Sequence, residues 1–219
     1  MLATLSEERL ADAVDLLKEL INVGVGRAAA SLSELIGLRI ELSVPEVWTS
    51  CDGREISGAL NERAAMVVWQ EFTGDLCGRA ALAFPEASGL SLAALLAGSD
   101  VPASELDLEL SGVLLEVGNI LLNGMMGTIA NEAHNTLQYM LPVLHCGGDA
   151  LTRVLQSDSY ESMELLIADV RFRVQERAIN GSIVIGFSFG SVLQLLTSVQ
   201  PELPVPNLES FEDQVFQAE

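Results

Sequence analysis

Two polar side chains that could together hold a water molecule occur three positions apart at two places in the chain. The first pair is Glu19 with Asn22, and the second is Glu116 with Asn119, 97 positions later. Residues three apart on a helix share one face, with Cβ atoms about 5–6 Å apart. A carboxamide can orient a water through one acceptor and two donors, and a carboxylate can pair with a cation. Such groups suit attack by water on a phosphoryl group, which needs little covalent help from a protein.

Each pair is followed by a proline at the same distance. Pro45 comes after Asn22 with 22 residues between them, and Pro142 follows Asn119 at the same spacing. Glu and Asn on a helix surface usually form only a solvated face. Because Glu, Asn and Pro all recur at the same spacing, the repetition favours two functional sites over a chance occurrence of surface residues.

The later part of each half repeats as well. The similar segments are 76–96 and 179–196, with Gly78 aligned to Gly181 and Phe84 aligned to Phe187. The second copy has gained about six residues between its proline and Gly181. Because two copies are too few for a solenoid, the pattern predicts two intertwined halves related by a pseudo-twofold axis.

Hydrophobic periodicity predicts the elements that carry these residues. Apolar residues step by three and four over 7–36, which indicates a long helix that stops at Gly37. A second long helix is predicted from Ser104, with Asp107 near its start, to about Thr136. Strands are predicted at 38–45, 65–72, 79–84, 135–142, 164–174 and 182–189, and shorter helices at 88–97 and 190–198.

These elements predict an α+β fold with one mixed, mainly antiparallel sheet and the two long helices packed side by side across it. No linker separates the halves, so residues 1–200 are expected to form one domain from repeats at about 7–103 and 104–200. Residues 201–219 form an acidic tail with three prolines and no basic residue, which we expect to be mobile.

The charge balance excludes several kinds of partner. The chain has 31 acidic against 11 basic residues and a net charge of −20, whereas nucleic acids and anionic membranes require clusters of Lys and Arg. The N-terminal residues lack the apolar segment of a signal peptide, and the uncharged run 178–201 is interpreted as buried strand, turn and helix. We therefore expect a cytoplasmic protein that binds neither nucleic acid nor membrane.

The sequence indicates that any cations at the second site come with the substrate. No Lys or Arg occurs between Arg79 and Arg153, and His134, His145 and Cys146 lack the fourth partner of a typical metal site. We expect no metal or cofactor bound by the chain itself. An aspartyl phosphate on a receiver domain is a suitable substrate, because it arrives with Mg2+ and a lysine.

The motif resembles the signature of the CheC/CheX/FliY family of chemotaxis phosphatases, which is Asp or Ser, three residues, Glu, two residues, Asn, 22 residues and Pro. Asp15 completes the signature in the first copy. In the second copy Gly112 stands where Asp or Ser is expected, with Ser111 one place away. Arg27 is a further departure, because the family more often has a small polar residue there.

The resemblance implies that Glu19 and Glu116 contact a lysine of a phosphorylated CheY-like regulator, and that Asn22 and Asn119 orient the hydrolytic water. Asp15, Gly26 and Gly112 would then border the approach of the substrate. Two copies in one chain resemble CheC more than the CheX type, which generally dimerises, so a monomer is expected. The lack of an extended switch-binding domain also argues against FliY. The alternative is a non-catalytic adaptor for a receiver domain, a CheD-type deamidase or a flagellar switch protein.

Overall fold

The computed structural model describes residues 7–50, 65–155, 165–188 and 190–192. The helices are α1 (Glu7–Ile36), α2 (Glu86–Leu96), α3 (Leu108–Glu132) and α4 (Ala150–Leu155). The strands are β1 (Ile40–Leu42), β2 (Glu46–Ser50), β3 (Met66–Gly74), β4 (Gly78–Phe84), β5 (Leu137–Tyr139), β6 (Val143–Cys146), β7 (Leu165–Val174) and β8 (Asn180–Ser188). The chain is helical again at 190–192, and the rest of the predicted helix 190–198 and the acidic tail lie outside the described residues.

The eight strands form one sheet in the order β1-β7-β8-β4-β3-β5, with β2 also paired to β7 and β6 also paired to β3. Every strand pair of the described chain is antiparallel. The two long helices pack along each other across this sheet. The predicted fold class is therefore confirmed, with a sheet that is antiparallel throughout the described residues.

The strand order is symmetric. Exchanging β1 with β5, β2 with β6, β3 with β7 and β4 with β8 turns the order into its own reverse. The short strands of the first half, β1 and β2, pair with β7 of the second half, and β5 and β6 pair with β3 of the first. This interlocked strand order has the symmetry expected of two halves related by a pseudo-twofold axis.

The prolines of the motif lie between two short strands, whereas the sequence predicted that one short strand would end at each proline, over 38–45 and 135–142. Pro45 directly precedes β2, and Pro142 directly precedes β6. Between the two short strands the chain stays hydrogen-bonded to its partner strand. In the first half the backbone N–H of Ser43 donates to the Arg171 carbonyl at 2.8 Å. In the second half the backbone N–H of Met140 donates to the Glu71 carbonyl at 2.9 Å. Proline lacks an N–H, so it fits such an interruption at an edge.

A glycine and two phenylalanines mark one end of the central β4–β8 pairing. A Cβ on Gly78 would lie 2.1 Å from the Gly186 carbonyl oxygen and 2.8 Å from the Phe72 ring. The ring of Phe72 meets that of Phe187 edge to face, with centroids 5.7 Å apart. Only glycine leaves room here for the partner backbone and the ring at once.

The other end of the β4–β8 pairing has the equivalent arrangement. A Cβ on Gly181 would lie 2.7 Å from the Ala83 carbonyl oxygen and 2.8 Å from the Phe172 ring. The ring of Phe172 meets that of Phe84 with centroids again 5.7 Å apart. The glycine and phenylalanine positions aligned in the sequence thus perform the same packing in both halves.

The ends of the long helices follow local chemistry. Gly37 closes α1 with a positive φ of 68°, as predicted. Helix α3 is shorter than the predicted 104–136, because Asp107 caps it by accepting from the Leu110 N–H at 2.8 Å. It ends before His134, which has a φ of 55° and lets the Asn135 N–H reach the Ala130 carbonyl at 2.8 Å.

Helix α3 is long and apolar enough to cross a membrane by length and composition alone. Half of its most apolar window is buried inside the protein, where the helix packs against α1 and the sheet. The first part of the uncharged run 178–201 is strand β8, as predicted.

The second face of the sheet carries a smaller apolar cluster and a buried acid. Helix α4, which the sequence did not predict, covers part of this face with Ala150, Leu151 and Val154. Asp169 is almost fully buried on β7, with Arg171 Nε 3.8 Å from its carboxylate. Burial raises the pKa of Asp169 from 3.8 to about 6, although the Ser182 hydroxyl and Arg171 oppose this shift.

We predict that Gly78→Ala lowers the free energy of unfolding by about 1–3 kcal/mol, because the added methyl group would overlap the Gly186 carbonyl. Urea unfolding measures the change. Gly124→Ala is the control, since a Cβ there meets nothing within 4 Å and alanine favours the helix by up to about 1 kcal/mol. Equal stability of the two variants would show that the close β4–β8 contact is not a constraint.

The raised pKa of Asp169 predicts a pH dependence. The folded protein binds this proton more tightly than the unfolded chain, so the contribution of Asp169 to stability falls as pH rises from 3.8 to about 6. Asp169→Asn should flatten the stability curve in this range and raise the urea midpoint at pH 7. An unchanged pH profile in the variant would contradict the buried, protonatable state of Asp169.

Candidate functional site

The first Glu and Asn lie on the outer face of α1. Leu17 and Ile21 point inward and are completely buried in the core, whereas Glu19 and Asn22 are exposed. The helix thus separates the apolar stripe from the polar pair, as the spacing predicts. Both side chains are presented to solvent on a rigid element.

The neighbours of this pair leave the face open. Asp15, one turn before Glu19, is exposed and lies 3.4 Å from the Lys18 ammonium, an exposed contact of little energetic value. A Cβ on Gly26 would meet no atom within 4 Å. Arg27 is also exposed, but five residues after Asn22 it points about 140° away around the helix axis. Arg27 therefore does not lie over the Asn.

The second pair occupies the matching position on α3. Val117 and Gly118 are buried on the inner side, while Glu116 is exposed and Asn119 is half-buried. Gly112, where the motif expects Asp or Ser, is exposed, and a Cβ there would meet nothing within 4 Å. The missing side chain leaves the approach to Glu116 open.

The second site contains a contact that the sequence did not predict. The Asn123 side-chain amide donates a hydrogen bond of 2.9 Å to the Asn119 carboxamide oxygen. The position equivalent to Asn123 in the first half is Gly26, which has no side chain to offer. The two sites therefore share their Glu and Asn but differ in what surrounds the Asn.

Exposed apolar side chains repeat beside the motif and were missed by sequence reasoning. Val23 is 50% exposed directly after the first Asn, and Ile120 is 42% exposed directly after the second. Val44 is 78% exposed before Pro45, and Leu141 is 86% exposed before Pro142. Their repetition at the same spacing as the motif is the signal that could have identified them. Exposed apolar groups repeated beside polar ones are typical of a protein-binding surface.

The two pairs suit binding and orientation. Among the described residues no three His, Cys, Asp or Glu side chains come together in a group that could hold a metal ion. An exposed carboxylate can pair with a cation of a partner, and an exposed carboxamide can hold a water. The predicted Mg2+ on the phosphorylated partner stays a prediction, as do the roles of the four site residues.

No family model matches the sequence. The fold, however, is similar to that of solved structures. A FliY structure from Thermotoga maritima is 18% identical with a TM-score of 0.70, and the match covers 91% of this chain and 100% of that chain. At this identity the match shows a shared fold, and the expectation that disfavoured FliY stays a prediction.

Two further structures come from complexes. In the CheX–CheY–BeF3–Mg2+ complex from Borrelia burgdorferi, the matching chain is 15% identical with a TM-score of 0.53, and the match covers 75% of this chain and 96% of that one. In the FliG–FliM complex from H. pylori, the matching chain is 10% identical with a TM-score of 0.62. That match covers 88% of this chain and 100% of the matching chain. At these identities the similarity shows a shared fold, which is that of the CheC/CheX/FliY family resembled by the sequence.

The different surroundings of the two Asn residues predict different effects on stability. Asn22→Ala should leave the free energy of unfolding unchanged or slightly raised, because Asn22 is exposed and alanine favours a helix. Asn119→Ala should be less stable than Asn22→Ala by about 1 kcal/mol, because it loses the bond from Asn123. Urea unfolding of both variants measures the difference. Equal values would argue against the Asn119–Asn123 hydrogen bond.

Proposed function

We propose that the chain is a phosphatase for the aspartyl phosphate of a CheY-like response regulator, in chemotaxis or a related two-component pathway of the cytoplasm. The observation that carries this proposal is the presentation of the same Glu–Asn pair on the outer faces of both long helices. A chain that needed only a solvated surface would not require the same two residues at the same position twice.

The exposure of both Glu residues, beside apolar side chains that are also exposed, supports a protein substrate. Glu19 and Glu116 are open to solvent, as are Val44 and Leu141 beside the prolines. A receiver domain would cover such a surface and exclude water from the phosphoryl group, which strengthens the polar contacts beneath it. The structural similarity to a CheX solved in complex with CheY, BeF3 and Mg2+ supports this class of partner.

In the proposed reaction a water attacks the phosphorus of the acyl phosphate, and the P–O bond to the regulator's aspartate breaks. The leaving carboxylate is stable, so the reaction depends mainly on the position of the water. Asn22 or Asn119 would hold that water in line through its carboxamide. Glu19 or Glu116 would pair with the regulator's lysine and fix the docking angle. Mg2+ carried by the regulator would neutralise the phosphoryl charge.

A second candidate is a non-catalytic binding module. The similarity to FliM, solved in complex with FliG, favours it, because the same fold there belongs to a protein complex. In this alternative the Glu–Asn faces would dock a receiver domain, a CheD-type deamidase or a flagellar switch protein without hydrolysis. Binding of a receiver without faster loss of its phosphate would support this candidate.

The proposal predicts graded loss of activity. Asn22→Ala and Asn119→Ala should each remove part of the accelerated dephosphorylation, because the other site stays intact. The double variant should return the decay to the regulator's own rate. The measurement is the decay of the phosphorylated regulator with a catalytic amount of each variant, after a circular dichroism check of folding.

Two outcomes would change the proposal. If the double variant accelerates the decay as well as the wild-type protein does, Asn does not orient the water. If Asn119→Ala alone keeps full activity, only the first site is competent, and Asp15, for which the second copy has Gly112, contributes more than the proposal allows. A binding assay with the regulator activated by beryllium fluoride separates loss of docking from loss of chemistry.

A further inference from the structure

The two sites differ at the position one helical turn after the Asn. In α3 this position is Asn123, and in α1 it is Gly26. Residues four apart on a helix lie on the same face, so each of these residues stands beside its Asn. The difference therefore concerns the group proposed to hold the water.

The side chain of Asn123 is tied to Asn119. Its Nδ2 donates to Asn119 Oδ1 at 2.9 Å. Its own Oδ1 is buried and has no hydrogen-bond partner among the described residues. A buried carbonyl without a partner is unfavourable, and Asn is a poor helix former. Helix preference therefore does not explain an asparagine at this position, whereas its hydrogen bond to Asn119 does.

The bond leaves Asn119 able to bind water. The carboxamide oxygen of Asn119 has two lone pairs, of which Asn123 uses one. Within the described residues, neither N–H donor of the Asn119 carboxamide has a hydrogen-bond partner. With its plane held from one side, the group presents its remaining donors and acceptor in a fixed direction. Asn22 has no such support from the equivalent position, because Gly26 has no side chain.

We propose that Asn123 is a positioning residue that pre-orders the Asn119 carboxamide, so that the second site holds its water in a fixed direction while the first must order Asn22 in each turnover. This inference rests on the proposed phosphatase function. Fixing one side chain before the reaction removes an entropic barrier that otherwise falls on the chemical step. The effect should appear in kcat and not in KM, because Asn123 acts through Asn119 and is not expected to touch the regulator.

Reciprocal substitutions in single-site backgrounds test the proposal. With the first site disabled by Asn22→Ala, adding Asn123→Ala should lower kcat about 2- to 10-fold and leave KM unchanged, the range expected for one hydrogen bond. With the second site disabled by Asn119→Ala, Gly26→Asn should give a higher kcat than Gly26→Ala by a similar factor. The alanine variant is the matched reference, since it adds a Cβ without an amide in the same open space.

Side-chain amide order supplies a readout that does not depend on activity. By 15N relaxation, the Asn119 NH2 group should be more ordered than that of Asn22 in the wild-type protein. Asn123→Ala should lower the order of Asn119, and Gly26→Asn should raise that of Asn22. Equal order of Asn119 and Asn22 in the wild type would overturn the positioning role.

The two readouts separate failure of this inference from failure of the proposed function. If the wild-type protein does not accelerate dephosphorylation, the phosphatase proposal fails, and with it the catalytic consequence of Asn123. The relaxation data then still decide whether Asn123 orders Asn119. If the protein is active and Asn123→Ala lowers the order of Asn119 without changing kcat, the role of Asn123 in the reaction is overturned. A rise in KM with constant kcat would assign Asn123 to docking instead and also contradict the proposal.

Discussion

The central antiparallel pairing of β4 with β8 is the constraint on which the rest of the structure depends. This pairing joins the two halves, and Gly78 and Gly181 allow the partner backbone to come close at its two ends. Since β1 and β2 pair with β7 while β5 and β6 pair with β3, neither half completes its hydrogen bonding alone. Because each half supplies edge strands to the other, the two halves form one sheet and one core.

The shared sheet fixes the two long helices and therefore the two sites. Both helices bury one face in the same core, which includes Leu17 and Ile21 from α1 and Met125 and Ile129 from α3. They approach closely at Gly24, where a Cβ would lie 2.7 Å from the Ile129 side chain. Because the inner faces are packed, the outer faces are held rigidly, and each presents its Glu and Asn to solvent. Rigid presentation suits chemistry that consists mainly of positioning.

Much of this architecture could be predicted from the sequence because it depends on periodic and repeated features. The span of α1, the Gly37 stop and the matching roles of Gly78 and Gly181 follow from spacing alone. The break before each proline was not predicted, since apolar residues such as Val44 and Met140 continue the predicted strands without being in a strand. Helix α4 was missed because six residues are too few for a periodic signal.

The site was predictable in its repeated part and not in its asymmetric part. The candidates Glu19, Asn22, Glu116 and Asn119 were singled out because they recur in register, and the structure places each on a long helix. Their roles stay predictions. The hydrogen bond from Asn123 to Asn119 was not predicted. The position equivalent to Asn123 in the first half is Gly26, so Asn123 is not part of the repeated pattern. Exposure of Val44 and Leu141 depends on tertiary packing, which an alternating apolar pattern does not reveal.

The most direct test of the account is the decay of Mg2+-dependent phosphorylation on purified CheY-like receiver domains, with and without this protein. The account predicts that a substoichiometric amount of the protein speeds the loss of phosphate from its cognate receiver, with release of inorganic phosphate. A receiver that binds the protein in its phosphorylated form, yet loses phosphate at its own rate, would contradict the account.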